Sequence, residues 1–196
     1  DSFVSRGLGD VYKRQINSEL REELEYKYSD LPFYFLKFWF EDKYNKPLNI
    51  LANDRIFKRL GLKRTMFNPI DKINLNEIVP SERDDFFRHS KLQGYVHDEG
   101  AAMLGGVSGH AGLFSNSYEV AIVLQAMIQK GKYDNLKLFS QDSFDKFNFC
   151  YFCDKNNRSG VGFDKPQIEG KHGSTFGGVS LESFGHYGYT LSLIHI

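Results

Sequence analysis

The chain has 196 residues, 41% of them hydrophobic and 15% aromatic, enough for one globular domain or most of one. Twenty-five basic residues balance 25 acidic ones, and no basic block stands out, so the sequence carries no electrostatic footprint for nucleic acid. The richest apolar run, Phe33 to Phe40, is short and interrupted by Lys37, well under the length of a membrane span.

In chain order, Ser29 or Asp30 can cap a helix that starts at Leu31, with Pro32 tolerated in its first turn. Its apolar residues run nearly all round, which predicts burial on most sides, and it should stop near Tyr44-Asn45, before Pro47. A second helix is predicted over Leu48 to Leu60, with Gly61 as its left-handed cap. Residues 62–93 read as irregular. Gly94 to Ser115 is rich in small residues that permit close backbone approach. An amphipathic helix follows, with Ser117 as N-cap, a buried stripe from Val120 to Ile128, and Gly131 as its close. Ser140 can cap a short helix over Phe144 and Phe147, while Gly160–Phe163 and Ser183–Thr190 read as strands.

The two ends do not read as protein. Leu191–Ile196 can be spelled CTGTCTCTTATACACATC, whose reverse complement encodes Asp10-Val11-Tyr12-Lys13-Arg14-Gln15. Residues 1–15 and 191–196 therefore read as adapter-derived, and 16–190 as the natural segment, cut at both ends.

Several groups could carry chemistry. Tyr28, before Ser29 and Asp30, stands at a helix entrance, where the positive end of the dipole favours a phenolate and makes it a credible proton acceptor. Gly188 inside a strand suggests close approach by another backbone or a ligand, beside His186. His97, Asp98, Glu99 and His110 invite a metal reading, but the spacing fits no ligand motif. Many carboxylates leave a paired-carboxylate glycosidase open without singling out a pair. Ser143-Phe144-Asp145-Lys146 has nucleophile spacing, but it lies in a charged helix and after the tyrosine. Cys150 and Cys153 form a CxxC without a second pair for zinc or a redox βαβ context, and read as ordinary thiols.

Together, order and spacing become specific. Tyr28-Ser29-Asp30-Leu31 precedes an apolar helix; Leu60 to Pro69 follows; then come GYVHDEGAAMLGGVSGHAGLFS, Gly160 to Asp164 and Ser183 to Gly188. This series resembles the serine β-lactamase-related family, which includes class C β-lactamases, penicillin-binding-type carboxypeptidases and family VIII-like esterases. The His97–Ser115 stretch looks closest to a Bacteroidetes branch in which the domain follows a glycoside hydrolase module, a β-N-acetylglucosaminidase. The resemblance implies an α+β, β-lactamase/transpeptidase-like fold, incomplete here: a helical subdomain plus part of the antiparallel sheet. It implies an acyl-enzyme hydrolase without cofactor or metal, acting on a small acyl or peptidoglycan-like substrate in the periplasm or cell envelope.

Residue by residue, Tyr28 would be the general base and Asp30 a substrate contact, although Asp30 stands where the family more often has Asn. His186-Tyr187-Gly188 matches the third family motif, with Tyr187 in place of Thr. The N–H of Tyr189 would form half of an oxyanion hole. The first motif, a Ser-x-x-Lys, would lie upstream of the segment. The competing expectations are a non-catalytic homologue that binds peptidoglycan or glycan, and an accessory domain of a linked glycosidase.

Overall fold

A computed structural model describes residues 28–153, 157–168 and 177–188 and the backbone of 194–195. The chain divides into two compact units between Glu119 and Val120. The ends assigned to an adapter lie outside the described residues, apart from 194–195.

In the first unit, helix α1 spans Leu31–Tyr44. Ser29 Oγ accepts from the Leu31 N–H at 3.2 Å, while the Asp30 side chain makes no cap bond. Asn45, at φ 47°, ends the helix in the left-handed region. The expectation of burial on most sides is corrected. Tyr34 and Lys37 are buried, whereas Phe35 (47% exposed) and Trp39 (41%) are open. Lys43 Nζ sits 4.4 Å over the Trp39 ring, so the apolar face is partly covered by a cation rather than by a core.

Helix α2 (Leu48–Ala52) continues as a π-helical turn, Asn53–Phe57, and closes at Gly61 with φ 72°. The region expected to be irregular has little regular structure: two 3-10 turns, Pro69–Asp71 and Leu75–Glu77, and short strand pairings. Strand β1 (Met66–Phe67) pairs antiparallel with β4 (Leu113–Phe114), and β2 (Glu82–Asp84) with β3 (Ser90–Leu92). Helix α3 (Glu99–Met103) lies inside the Gly-rich stretch, with Asp98 as its N-cap.

Helix α4 (Ser117–Ile128) matches the predicted amphipathic helix, but its cap is Asn116, whose Oδ1 accepts from the Glu119 N–H at 2.9 Å. The predicted stripe is at best half-buried; Glu119 and Ala126 are the buried positions. Glu119 ties the start of α4 to residues 63–65. Its carboxylate accepts from the Lys63 N–H (2.7 Å), the Arg64 N–H (2.9 Å) and Thr65 Oγ1 (2.6 Å). Burial pushes its pKa up, yet these bonds outweigh burial and hold it below the ordinary carboxylate value.

In the second unit, Lys130 (φ 53°) takes the left-handed position after α4, and the Gly131 N–H reaches back to the Ala126 carbonyl. A Cβ on Gly131 would lie 2.4 Å from the Phe139 carbonyl oxygen, so only glycine fits. Strands β5 (Lys132–Tyr133) and β6 (Leu136–Lys137) form a hairpin. Helix α5 (Gln141–Asn148) is capped by Ser140 as predicted. Its Phe144 meets Phe184 edge-on at 5.3 Å, and Phe163 meets Phe184 likewise. Gly160–Phe163 is a turn rather than a strand: the Gly160 N–H donates to the Phe163 carbonyl, Gly162 has φ 84°, and Ser159 pairs with Asp164 across it. Of the predicted Ser183–Thr190 strand, residues 189–190 lie outside the described ones, and among 183–188 Gly185–His186 is regular, as β7. It pairs with β8 (Ile194–His195) and bridges to Asp164. Among the described residues, no helix is long and apolar enough to cross a membrane.

Candidate active site

The candidate residues named from the sequence fall in both units. In the first, Tyr28 stands two residues ahead of Asp30, the N-cap of α1, and is 64% exposed. The turn behind it is fixed. Ser29 Oγ holds the Leu31 N–H, and the Asp30 carbonyl accepts from the N–H groups of Phe33 (2.9 Å) and Tyr34 (3.2 Å). A phenol displayed at this end of a 14-residue helix lies where the dipole favours negative charge. Asp30 is half-exposed and leaves its carboxylate uncommitted to the cap.

In the second unit, β7 displays His186. Its Nδ1 lies 2.5 Å from the Tyr187 carbonyl. A carbonyl only accepts, so Nδ1 carries the proton, and Nε2 is the nitrogen that accepts in the neutral ring. Tyr187 and Gly188 are exposed beyond it. Tyr189 lies outside the described residues. Sequence reasoning missed the neighbours of this strand. Asp164 exchanges backbone hydrogen bonds with Gly185, at 2.7 and 3.1 Å. Burial raises the Asp164 pKa, and the charge of His186 opposes that rise. Lys165 is buried; its Nζ donates to Asn148 Oδ1 at 3.1 Å, and burial followed by the charge of Arg158 depresses its pKa. The available signal was the Gly160–Lys165 turn running beside the strand.

Other candidates resolve differently. Ser143 Oγ meets Ser140 Oγ at 2.8 Å, and Lys146 pairs with Asp142 at 2.8 Å, so this SxxK serves a helix cap and a surface ion pair. Cys150 and Cys153 are joined in a disulfide, correcting the expectation of ordinary thiols. The His97–His110 region assembles no cluster fit for a metal among the described residues. Instead, His110 Nε2 bonds Asp98 Oδ1 at 2.8 Å and Nδ1 bonds Ser108 Oγ at 3.0 Å. Ser108 is only 3% exposed, which removes this Ser-His-Asp chain from consideration as a nucleophilic site. Burial pushes the Asp98 pKa up, but the Ala101 N–H and His110 outweigh it and the net shift is downward.

No protein-family model matches the chain. It is 37% identical over 148 residues to an N-acetylmuramyl-L-alanine amidase of Bacillus subtilis strain 168, a match that covers 69% of this chain and 34% of that protein. It is 36% identical over 184 residues to a putative D-alanyl-D-alanine carboxypeptidase of Salmonella enteritidis PT4, covering 86% of this chain and 41% of that protein. The chain thus spans roughly two-fifths or less of these curated relatives. In fold it is similar to the octameric penicillin-binding protein homologue from Pyrococcus abyssi, with a TM-score of 0.56 at 12% identity, covering 93% of this chain and 35% of that one. The fold is an incomplete α+β transpeptidase-like one, as the sequence implied, and these relationships support a penicillin-binding-protein/β-lactamase-like family for this chain.

Proposed function

We propose that the chain is part of a serine acyl hydrolase that works through an acyl-enzyme on a short peptide of the peptidoglycan type. The observation that carries this reading is the relationship to a carboxypeptidase-named protein at 36% identity over 86% of the chain. The exposed Tyr28 at the head of α1 supports it. In this reading the nucleophilic serine and its lysine belong to a Ser-x-x-Lys outside the sequence given. Tyr28, as phenolate, takes the serine proton; the serine oxygen adds to the substrate carbonyl; the proton passes to the leaving amine. Asp30 is a substrate contact, Tyr187 and Gly188, just past β7, border the acyl group, and the Tyr189 N–H supplies one oxyanion donor. His186, when Nε2 carries a hydrogen as well as Nδ1, donates from Nε2 to a substrate carboxylate. A periplasmic or cell-envelope location goes with such a substrate. The resemblance of the His97–Ser115 stretch is the support for a linked glycoside hydrolase module.

The test is to recover the longer reading frame and treat its product with a fluorescent penicillin and a fluorophosphonate. Covalent labelling that is lost in Tyr28→Phe is expected. Labelling of Tyr28→Phe at the wild-type rate removes Tyr28 as the base. A full-length product without an upstream Ser-x-x-Lys, and without labelling, leaves the non-catalytic binding homologue.

A further inference from the structure

The Gly-rich segment is assigned no part in the chemistry above, yet it is built against the helix that carries Tyr28. We propose that His110 is a positioning residue for Tyr28, holding the first turn of α1 at a fixed height and angle. This inference rests on the reading of Tyr28 as the base.

The path is contiguous. The Asp30 carbonyl accepts from the Phe33 and Tyr34 N–H groups, so the residues next to Tyr28 move with Tyr34. The Tyr34 ring packs on the His110 ring with centroids 4.4 Å apart, tilted 50°. His110 is itself fixed at both nitrogens. The Asp98 carboxylate only accepts, so Nε2 carries the hydrogen of the 2.8 Å bond. In the neutral ring, Nδ1 then accepts from the Ser108 hydroxyl at 3.0 Å. Asp98 is anchored in turn as the N-cap of α3, its Oδ1 accepting from the Ala101 N–H at 2.6 Å.

Two glycines let this assembly close on α1. A Cβ on Gly100 would lie 1.9 Å from Tyr34 Oη, and one on Gly109 would lie 2.6 Å from the Phe33 carbonyl oxygen. A side chain at either position would therefore collide with α1. The His110 side chain is 6% exposed, so water does not compete for its bonds. A ring bonded at both ends cannot turn, and the helix turn seated on it keeps one orientation.

The experiment uses the full-length enzyme and a chromogenic ester. His110→Phe keeps a ring against Tyr34 and loses both hydrogen bonds. The expected result is a fall in kcat of about 100-fold, the size of effect that a misplacement near 1 Å produces, with KM unchanged. Asp98→Asn keeps an oxygen for His110 Nε2–H and for the Ala101 N–H, so it retains wild-type kcat, whereas Asp98→Ala falls with His110→Phe. Gly100→Ala, which pushes on Tyr34 Oη, lowers kcat, and adding Tyr34→Phe restores it. This pair decides the matter if His110→Phe does not fold. A wild-type kcat in His110→Phe, a rise in KM alone, equal loss in Asp98→Asn and Asp98→Ala, or no restoration by Tyr34→Phe overturns the proposal. Tyr28→Phe separates the two levels. Loss in Tyr28→Phe with none in His110→Phe overturns the positioning role alone; no loss in Tyr28→Phe overturns the base and this inference with it.

Discussion

Glu119→Ala should be among the most damaging substitutions in the first unit, although Glu119 touches no residue of the proposed chemistry. Its carboxylate satisfies the N–H groups of Lys63 and Arg64 and the hydroxyl of Thr65, which also meets Ser115 Oγ at 2.7 Å. Removing it strands three donors that had been bonded to a charged acceptor. Such bonds contribute about 1.5–3 kcal/mol each, but not additively. Lys63 and Arg64 are exposed, so water recovers part of the loss. A net cost of about 3 kcal/mol results. For a chain of this size that is a fall in Tm of about 9 °C. Glu119→Gln keeps one acceptor oxygen and should lose about half as much. Urea unfolding followed by far-UV circular dichroism gives both values, with the slope m unchanged. A midpoint for Glu119→Ala within about 0.5 kcal/mol of wild type, the range of an ordinary surface change, would refute the argument that this carboxylate ties residues 63–65 to α4.

Other outcomes are accessible with the same protein. Glu119, Asp98 and Asp84 all have pKa values below the ordinary carboxylate value. Their stabilisation is fully present above about pH 4, the unfolded carboxylate value, and is lost as pH falls through the lower folded values. Acid unfolding should therefore set in below pH 4 and shift upward in Glu119→Gln. Gly131→Ala should cost about 2 kcal/mol or more in thermal unfolding, because φ is 92° and the Phe139 carbonyl oxygen blocks a Cβ. Trp39, the chain's one tryptophan, should be quenched readily by acrylamide in the isolated chain; full protection would contradict its exposure. In the full-length enzyme, His186→Ala should raise KM for substrates ending in a carboxylate and leave neutral esters unaffected.

The helices were legible because their signals are local: Asn45 and Gly61 as stops, Ser140 as a cap, and the period of Ser117–Ile128 each act within a turn or two. The role proposed for Tyr28 rests on order and spacing along the whole chain and on no local signal. What could not be read was nonlocal. Glu119 sits three residues after its N-cap, where the local rule sends a glutamate back to the cap, but its carboxylate instead reaches a loop more than fifty residues earlier. The apolar circumference of α1 predicted burial because sequence reports hydrophobicity and not which surfaces are present to cover it. His110 invited a metal reading that no ligand spacing supported, and the sequence could not reveal that it bonds Asp98. Gly160–Phe163 read as a strand because β-forming residues alternate there, and the positive φ at Gly162 turned it into a bend.

The hairpin of β2 and β3 bears on how this protein survives a protease. Phe86, at its tip, is 88% exposed and would attract an enzyme that cuts after aromatic residues. Cleavage needs an extended stretch of chain, and the tip cannot extend. Asp84 accepts from the N–H groups of Phe86, Phe87 and Arg88, and Arg88 in turn grips Asp84 and the carbonyls of Val96 and His97. The bond from the Phe87 N–H, followed by that from Arg88, holds the Asp84 pKa far below the ordinary range. The lock therefore stays charged and shut at neutral pH, and the most exposed aromatic side chain among the described residues is displayed without being offered. Strong acid, or Asp84→Asn, would turn it into the first place the chain is nicked.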